Sequence, residues 1–145
     1  MLLGTVKEVG KDITKDVAVG DEIASLVSLS LTPLKIEEIK AVHMEKDQVD
    51  IVGQAILFET GIFAKIPDDM PANIALAALD VAGAPAQGKN LVKKNDSVLI
   101  LGCAGKSGIL CAYQAKKNAG PNGKVIGIIH HASHMEELKE LNICD

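Results

Sequence analysis

The stretch at residues 97–129, SVLILGCAGKSGILCAYQAKKNAGPNGKVIGII, decides the fold. It begins with an apolar run at residues 98–101, which is too short for a helix and rich in strand formers. A helical segment is expected from about residue 107 to residue 119, and a second apolar run at residues 125–129 closes the stretch. Strand, glycine turn, helix and strand in this order predict a nucleotide-binding β-α-β unit.

Three glycines, spaced G-x-x-G-x-x-G, occupy the turn between the first strand and the helix. Without a Cβ they allow a tight turn. A pyrophosphate can then approach the first N–H groups of the helix, where the helix dipole favours an anion. A purely structural glycine turn is the alternative. The predicted cofactor-binding turn consists of Gly102, Cys103, Ala104, Gly105, Lys106, Ser107 and Gly108.

Two side chains of this turn are open to different interpretations. Lys106 either adds positive charge near the phosphates or points into solvent. Cys103 is interpreted as a small packing residue rather than a reactive thiol, because the sequence places no base beside it. No general acid or base of a reaction can be named, so the catalytic residues stay unknown.

The adenosine ribose of a dinucleotide is ordinarily bound by an acidic residue about 20 residues beyond the glycines. This sequence has no acid in that zone and instead contains His130 and His131. These two, or Ser133, could meet a ribose hydroxyl or a 2′-phosphate. The chain has no arginine, which argues against a strong NADP-selective clamp. We expect NAD as the cofactor, with NADP possible, and place His130 and His131 among the cofactor-binding residues.

Three of the histidines are close in sequence, and His130 and His134 have nearly the spacing of metal ligands. We nevertheless expect no metal site. His130 and His131 end a strand while His134 starts a helix, so the three cannot share one helical face.

The first 66 residues show short apolar alternations that are typical of a small β-barrel. Pro33 is expected to stop a strand that contains Val27 and Leu29 or to confine it to a sheet edge, and an exposed hairpin is expected around Lys46-Asp47. Strands are predicted at residues 4–10, 23–31, 49–53, 55–58 and 62–66.

Helical signals replace this pattern after Ile66. A helix is predicted at residues 72–81, with Ile74 on its apolar face and Gly83 and Pro85 ending it; a short helix and a turn follow at residues 86–96. Ser133 and Glu136 predict a capping box that opens a last helix. We therefore expect two domains, residues 1–66 and residues 67–145.

Composition excludes several classes of protein. The 145 residues carry a formal charge of −4 with scattered lysines, so nothing indicates nucleic-acid binding. No apolar run approaches the roughly 20 residues that span a bilayer, and the N-terminus lacks a signal-peptide pattern. The 3 cysteines form no C-x-x-C motif and are interpreted as reduced thiols. We expect a cytoplasmic protein without membrane or nucleic-acid partners.

Three parts of the chain, taken in order, resemble the medium-chain dehydrogenase/reductase superfamily. They are GTVKEVG at residues 4–10 with VGDEI at 19–23, AKIPD at 64–68, and LGCAGKSG at 101–108. The first is similar to the signature of the GroES-like domain, the second to the crossing into the cofactor domain, and the third to the glycine turn of the quinone-oxidoreductase branch. The resemblance implies an α/β fold, with a partial Rossmann β-α-β-α unit preceded by part of a GroES-like β-barrel.

Further phrases are closer to one amino-acid-degrading enzyme of that superfamily; they lie at residues 25–36, 55–61, 79–86 and 102–108. This resemblance implies an NAD(P)-dependent oxidoreductase that oxidatively deaminates a diamino acid in lysine fermentation. It also implies a small-molecule substrate and a homo-oligomer. The alternatives are a quinone or enone reductase of the same superfamily, or a nucleotide-binding fragment without catalysis.

The predicted dinucleotide-binding region has too few strands for a complete fold. A dinucleotide fold needs at least a third strand beside the second, and this chain supplies two. The β region also begins in mid-pattern at Met1. We expect the chain to be part of a larger enzyme, or to be completed by a partner.

Overall fold

A computed structural model describes residues 1–26 and 31–145. The chain divides into two compact units, Met1–Leu76 and Ala77–Asp145, and the division falls within helix α1, Ala72–Leu79. Strands and helices are both present, so the mixed α/β class predicted from the sequence is confirmed. Within the described ranges, no helix has the length and apolar character needed to cross a membrane.

The first unit contains a three-stranded antiparallel sheet in the order β1 (Leu3–Thr5), β2 (Glu22–Ser25) and β5 (Phe63–Lys65). Ala24 is fully buried in the central strand. The buried Ser25 hydroxyl accepts a hydrogen bond of 3.0 Å from the Leu2 backbone N–H. Val27 and Leu29, which we predicted to continue β2, lie outside the described residues.

A separate antiparallel hairpin joins β3 (Leu34–His43) to β4 (Gln48–Ala55) through the short 3-10 helix Met44–Lys46. Asp47 follows this helix with a φ of 52°, a left-handed conformation that aspartate tolerates better than most residues. The exposed hairpin predicted around Lys46-Asp47 is therefore confirmed. The strand predicted at residues 55–58 is wrong beyond Ala55, because β4 ends there.

The second unit is built on a parallel pair, β6 (Ser97–Leu101) and β7 (Lys124–Ile128), connected by helix α3 (Lys106–Ala119). Both strands and the helix lie within one residue of their predicted bounds. Alanines face the sheet from α3, and this small side chain lets the helix pack closely. The buried core cluster consists of Cys103, Ala112, Ala115, Val125, Leu138 and Ile143.

The segment before β6 differs from its prediction. Helix α1 ends at Leu79, but Gly83 and Pro85 do not end a helix, because α2 (Gly83–Leu91) begins there. Proline is tolerated in the first turn of a helix, where its missing N–H has no intrahelical partner in any case. The predicted apolar face of α1 is also wrong, since Ala75 is the buried residue and Ile74 is exposed.

The last helix, α4 (Met135–Leu141), begins after a 3-10 turn at Ala132–His134. The predicted capping box is wrong. Ser133 lies within the 3-10 turn, and neither the turn nor α4 has a side-chain cap. Glu136 instead pairs with Lys139 at 2.9 Å, one helical turn later.

Candidate functional site

The glycine turn between β6 and α3 is held against the end of β7 by two backbone hydrogen bonds. The N–H groups of Gly102 and Cys103 donate to the Ile128 carbonyl oxygen at 3.0 and 2.9 Å. Gly102 has a φ of 73°, which a residue with a side chain rarely adopts. The turn leads directly into Lys106, the first residue of α3. The start of this helix is therefore fixed beside the carboxyl ends of both parallel strands.

The three glycines of the turn meet different surroundings. A Cβ on Gly108 would lie 2.7 Å from the Cys103 Cα and 2.8 Å from its carbonyl carbon, so only glycine lets α3 pack this close. A Cβ on Gly102 would meet nothing within 4 Å, and one on Gly105 only the Gly102 carbonyl oxygen at 3.6 Å. Gly108 thus serves packing, while Gly102 and Gly105 leave open space in front of the helix.

That open space is a crevice of about 340 Å³. Three residues of the turn, Gly102, Ala104 and Gly105, form one side of its lining, and the chain after β7 forms the other. His130 and His131 also line the crevice. Together with the three turn residues, they make five of the nine predicted cofactor-binding residues that lie here. The complete lining is Gly102, Ala104, Gly105, Ile129, His130, His131 and His134.

The other four predicted residues do not line the crevice. Cys103 and Gly108 are buried behind the turn. Lys106 and Ser107 belong to the first turn of α3. The Lys106 ammonium lies 3.7 Å from the Asp80 carboxylate, and both side chains are exposed. The exposed position of Lys106 agrees with the interpretation that it points into solvent, and the interpretation that it adds positive charge near the phosphates stays a prediction.

Two crevice residues, Ile129 and His134, were not among the predicted cofactor-binding residues. The sequence signal for His134 is its position four residues after His130, a spacing that suggests metal ligands rather than cofactor contacts. The 3-10 turn at Ala132–His134 returns the chain toward the glycine turn, and this puts His134 at the crevice. Such a return cannot be deduced from residue spacing alone.

The histidines of the crevice contact one another. The Nδ1 atom of His130 lies 3.0 Å from the Nε2 atom of His131, and their ring centroids are 4.3 Å apart. The ring of His134 is 6.5 Å from that of His131, and its Nδ1 is 3.7 Å from the Glu137 carboxylate. Among the residues that the structure describes, no group of three or more potential ligands could hold a metal ion.

Cys103 lies beneath the crevice with no accessible surface. Burial, followed by the hydrogen bond to the Cys144 thiol, raises the pKa of Cys103 to about 11. The two sulfur atoms are 3.5 Å apart, well beyond a disulfide bond length, and both cysteines are free. A thiol with such a high pKa is a poor nucleophile at neutral pH. Its geometry agrees with a packing role.

A larger groove, of about 1040 Å³, lies in the unit Met1–Leu76 and contains none of the nine predicted residues. Its lining is mainly apolar and backbone, and two of its polar side chains have partners. The Lys15 ammonium donates to the Gly61 carbonyl oxygen at 2.6 Å, and Glu59 accepts from the Thr14 hydroxyl at 2.9 Å. We therefore place the candidate site at the histidine-lined crevice.

Comparison with known proteins gives a family match for the first half of the chain. Residues 1–67 match the family model described as the L-erythro-3,5-diaminohexanoate dehydrogenase N-terminal domain.

Two relatives carry the similarity through the second half. The L-erythro-3,5-diaminohexanoate dehydrogenase of Acetoanaerobium sticklandii is 56% identical over 147 residues, which is 100% of this chain and 43% of the relative. That of Fusobacterium nucleatum is 62% identical over 144 residues, which is 98% of this chain and 42% of the relative. The chain thus spans less than half the length of these two curated relatives.

A solved structure, described as the crystal structure of AibC, aligns with 95% of this chain and 44% of its own chain. The TM-score is 0.64 at 20% sequence identity, which supports the fold alone. The resemblance predicted from the sequence is confirmed by the family model and both relatives: over its whole length, the chain is similar to L-erythro-3,5-diaminohexanoate dehydrogenase.

Proposed function

We propose that the chain forms the cofactor-binding part of an NAD(P)-dependent oxidoreductase of the diaminohexanoate dehydrogenase kind. The reaction would be the oxidative deamination of L-erythro-3,5-diaminohexanoate, a small-molecule diamino acid, in lysine fermentation. The observation that carries the proposal is the crevice where the glycine turn meets the residues after β7. Ligands of open parallel sheets bind beyond the carboxyl ends of the strands, where this crevice lies.

The turn fits the pyrophosphate of a dinucleotide. The first N–H groups of a helix have no intrahelical partner and lie at the positive end of its dipole. In front of the start of α3, a Cβ on Gly102 would meet no atom within 4 Å among the described residues, which leaves room for an anion. We propose that Gly102, Ala104 and Gly105 admit the phosphates and that the first turn of α3 binds them. A nicotinamide cofactor bound there would supply hydride transfer.

The remaining predicted residues take different roles in this proposal. His130 and His131, which line the crevice together with His134, would meet the adenosine ribose in this proposal. Lys106 would exchange its exposed partner Asp80 for a phosphate, because exposed ion pairs contribute little stability. Cys103 and Gly108 pack beneath the turn rather than touching the ligand.

We further propose which known domains the two regions of the chain form. Residues 1–66 would form part of a GroES-like β domain of the medium-chain dehydrogenase/reductase superfamily, and residues 67–145 the N-terminal part of a Rossmann domain. The parallel pair β6–β7 joined by α3 supports the second assignment. A cytoplasmic homo-oligomer would fit this family.

Cofactor binding is tested on the 145-residue chain by titrating NADH and NADPH and following nicotinamide fluorescence. We expect saturable binding that Gly105→Val weakens at least tenfold, because a bulky side chain would enter the space left for the phosphates. The control is Gly88→Val in α2, where a Cβ also meets open space, at a residue that lines neither the crevice nor the larger groove. If neither nucleotide binds, the proposed cofactor site is wrong.

Activity is tested in a chimera of the Fusobacterium nucleatum relative in which this chain replaces the matching 144 residues. We expect NAD reduction that depends on L-erythro-3,5-diaminohexanoate. A folded chimera that binds NADH but is inactive on the diamino acid would contradict the proposed substrate. Activity on quinones or enones instead would favour the reductase alternative.

A further inference from the structure

We infer that Cys103 and Cys144 form a modification site, at which a hydroperoxide oxidises the two thiols to a reversible intramolecular disulfide. The sulfur atoms lie 3.5 Å apart, within the reach of a thiol hydrogen bond, and both cysteines are free. Within the part of the chain that the structure describes, this is the one hydrogen bond that joins two thiols. The inference concerns thiol chemistry and does not depend on the proposed cofactor site.

Hydrogen bonds to strand β7 hold both cysteines in place. The Cys103 N–H donates to the Ile128 carbonyl oxygen at 2.9 Å. Asp145, which follows Cys144, donates its N–H to the Val125 carbonyl oxygen at 2.8 Å. The Asp145 carboxylate also accepts from the Val125 N–H at 2.7 Å. The two thiols are therefore anchored to one strand, and such positioning favours a reaction between them.

The space for the two sulfur atoms is provided by Gly127, which lies in β7 between the anchoring residues. A Cβ at this position would lie 2.8 Å from the Cys103 sulfur and 2.9 Å from the Cys144 sulfur. Both distances are well below a normal van der Waals separation, so a side chain here would displace the thiols. The sulfur atoms thus meet in the space that glycine leaves, and a disulfide requires them to close from 3.5 Å to about 2 Å.

The two thiols differ in their access to solvent, and this difference sets the order of reaction. Cys144 is partly exposed, so a dissolved oxidant can reach it, whereas Cys103 has no accessible surface. Burial, followed by the hydrogen bond to Cys144, raises the pKa of Cys103 to about 11, so this thiol keeps its proton at neutral pH. Cys144 is therefore oxidised first, and Cys103 then resolves the product.

The oxidation proceeds in two steps. The Cys144 sulfur attacks one oxygen of the hydroperoxide; a sulfur–oxygen bond forms, the oxygen–oxygen bond breaks, and the thiol proton leaves with the other oxygen as water or an alcohol. The Cys103 sulfur then attacks the Cys144 sulfur. The disulfide forms as the sulfur–oxygen bond breaks, and hydroxide leaves as water with the Cys103 proton. The thiols together lose two electrons, which the peroxide gains, and the bond fastens the glycine turn to the segment after α4.

The experiment treats the folded 145-residue chain with hydrogen peroxide at pH 7, blocks the remaining thiols under denaturing conditions and digests the product with trypsin. Cleavage after the lysines puts each cysteine in a separate peptide. By mass spectrometry, we expect the peptide pair joined through Cys103 and Cys144 to exceed any product containing Cys111 by at least about tenfold, because thiols already in contact react before those that must first meet. Dithiothreitol should separate the pair.

Unfolding the chain supplies the matched control. In urea the shortest loop closes most readily, so Cys103 should pair mainly with Cys111 rather than with the more distant Cys144. In the folded chain, Cys111→Ser should leave the product unchanged and Cys144→Ser should abolish it. In Cys103→Ala, oxidation should leave a sulfenic acid on Cys144 that dimedone traps. Circular dichroism establishes that each variant is folded.

Two results would overturn the inference. One is a folded chain in which peroxide leaves Cys103 and Cys144 unlinked, although the unfolded chain forms disulfides. The other is a bond between Cys103 and Cys111 as the main product of the folded chain, because the contact with Cys144 would then not direct the reaction. A bond between Cys103 and Cys144 that persists in Cys111→Ser and disappears on reduction supports the inference. None of these measurements reads nucleotide binding, so they leave the proposed cofactor site untouched.

Discussion

The two strand pairs β6–β7 and β3–β4 are made of similar aliphatic residues but have different surroundings. In the parallel pair, Val125 has no accessible surface, and α3 covers one face with its alanines. In the hairpin, Val49 is 53% exposed and Ile39 is 59% exposed. A parallel pair needs a long crossover, usually a helix, whereas a hairpin needs only a turn. The crossover both buries a face and places a helix start at the end of a strand.

This difference explains why the candidate site belongs to the parallel pair. Helix α3 is the connection between β6 and β7, so its N-terminus and the end of β7 meet at one edge. The turn Met44–Lys46 of the hairpin has no helix behind it, and its apolar strands have no comparable cover among the described residues. Substitutions in the two pairs should therefore have unequal effects.

The largest effect is expected for Gly108→Ala. The new Cβ would overlap the backbone of Cys103 beneath α3, and packed backbone cannot yield without moving the helix. We expect the unfolding free energy of the unit Ala77–Asp145 to fall by more than about 3 kcal/mol, measured by hydrogen exchange. The Cβ added by Gly53→Ala in β4 would also meet backbone atoms. The loss of unfolding free energy should nevertheless be smaller, because the exposed, irregular hairpin can shift. Equal losses of unfolding free energy for Gly108→Ala and Gly53→Ala would contradict the proposed difference between the two strand pairs.

Removing buried volume should have the next largest effect. Val125→Ala leaves a cavity in the core cluster of the parallel pair, and we expect a loss of about 2 kcal/mol in urea unfolding. Val49→Ala deletes the same atoms from the exposed hairpin and should change the free energy by no more than about 0.5 kcal/mol. A similar loss at both valines would show that something covers the hairpin in solution.

The acid at position 145 should stabilise the parallel pair in a pH-dependent way. The hydrogen bond from Lys116, followed by that from the Val125 N–H, lowers the pKa of Asp145. A lowered pKa means that this stabilisation is present above the ordinary value of 3.8 and is lost as the pH falls through the folded-state value. Asp145→Asn should therefore destabilise the unit at pH 7, and the loss should shrink as the pH is lowered below 3.8, as measured by urea unfolding.

The corresponding change in the hairpin is Asp50→Asn, which removes an exposed pair with His43. Exposed pairs contribute little, so a much smaller loss is expected at pH 7. A larger loss for Asp50→Asn than for Asp145→Asn would reverse the order proposed for the two strand pairs.

The smallest effect is expected for the alkylation of the Cys103 thiol. Burial raises the pKa of Cys103 to about 11, so few thiolates form at pH 8 and reagents cannot reach them. We expect iodoacetamide to leave Cys103 unmodified in the folded chain, as read by peptide mass spectrometry. A thiol introduced by Val49→Cys in the hairpin should react readily. Rapid labelling of Cys103 would show that the turn opens.

Sequence reasoning succeeded where the signal was local. The strands β6 and β7, helix α3 and the turn at Asp47 follow from apolar runs and from residues that tolerate special backbone angles. It failed where packing competes with local preference. The Ser133 capping box did not form, and Pro85 begins a helix rather than following one. A cap requires a particular chain geometry, which spacing suggests but cannot fix.

By itself, the sequence determined the β-α-β unit, the glycine turn and the resemblance to a dehydrogenase, because these depend on residues that are close along the chain. Tertiary structure decided which side chains meet. It placed His134 beside His131, paired Lys106 with Asp80, and buried Cys103 against Cys144. These contacts depend on how the chain returns to the turn after β7, and that path is set by the packing of α3 and α4 on the sheet rather than by any short motif.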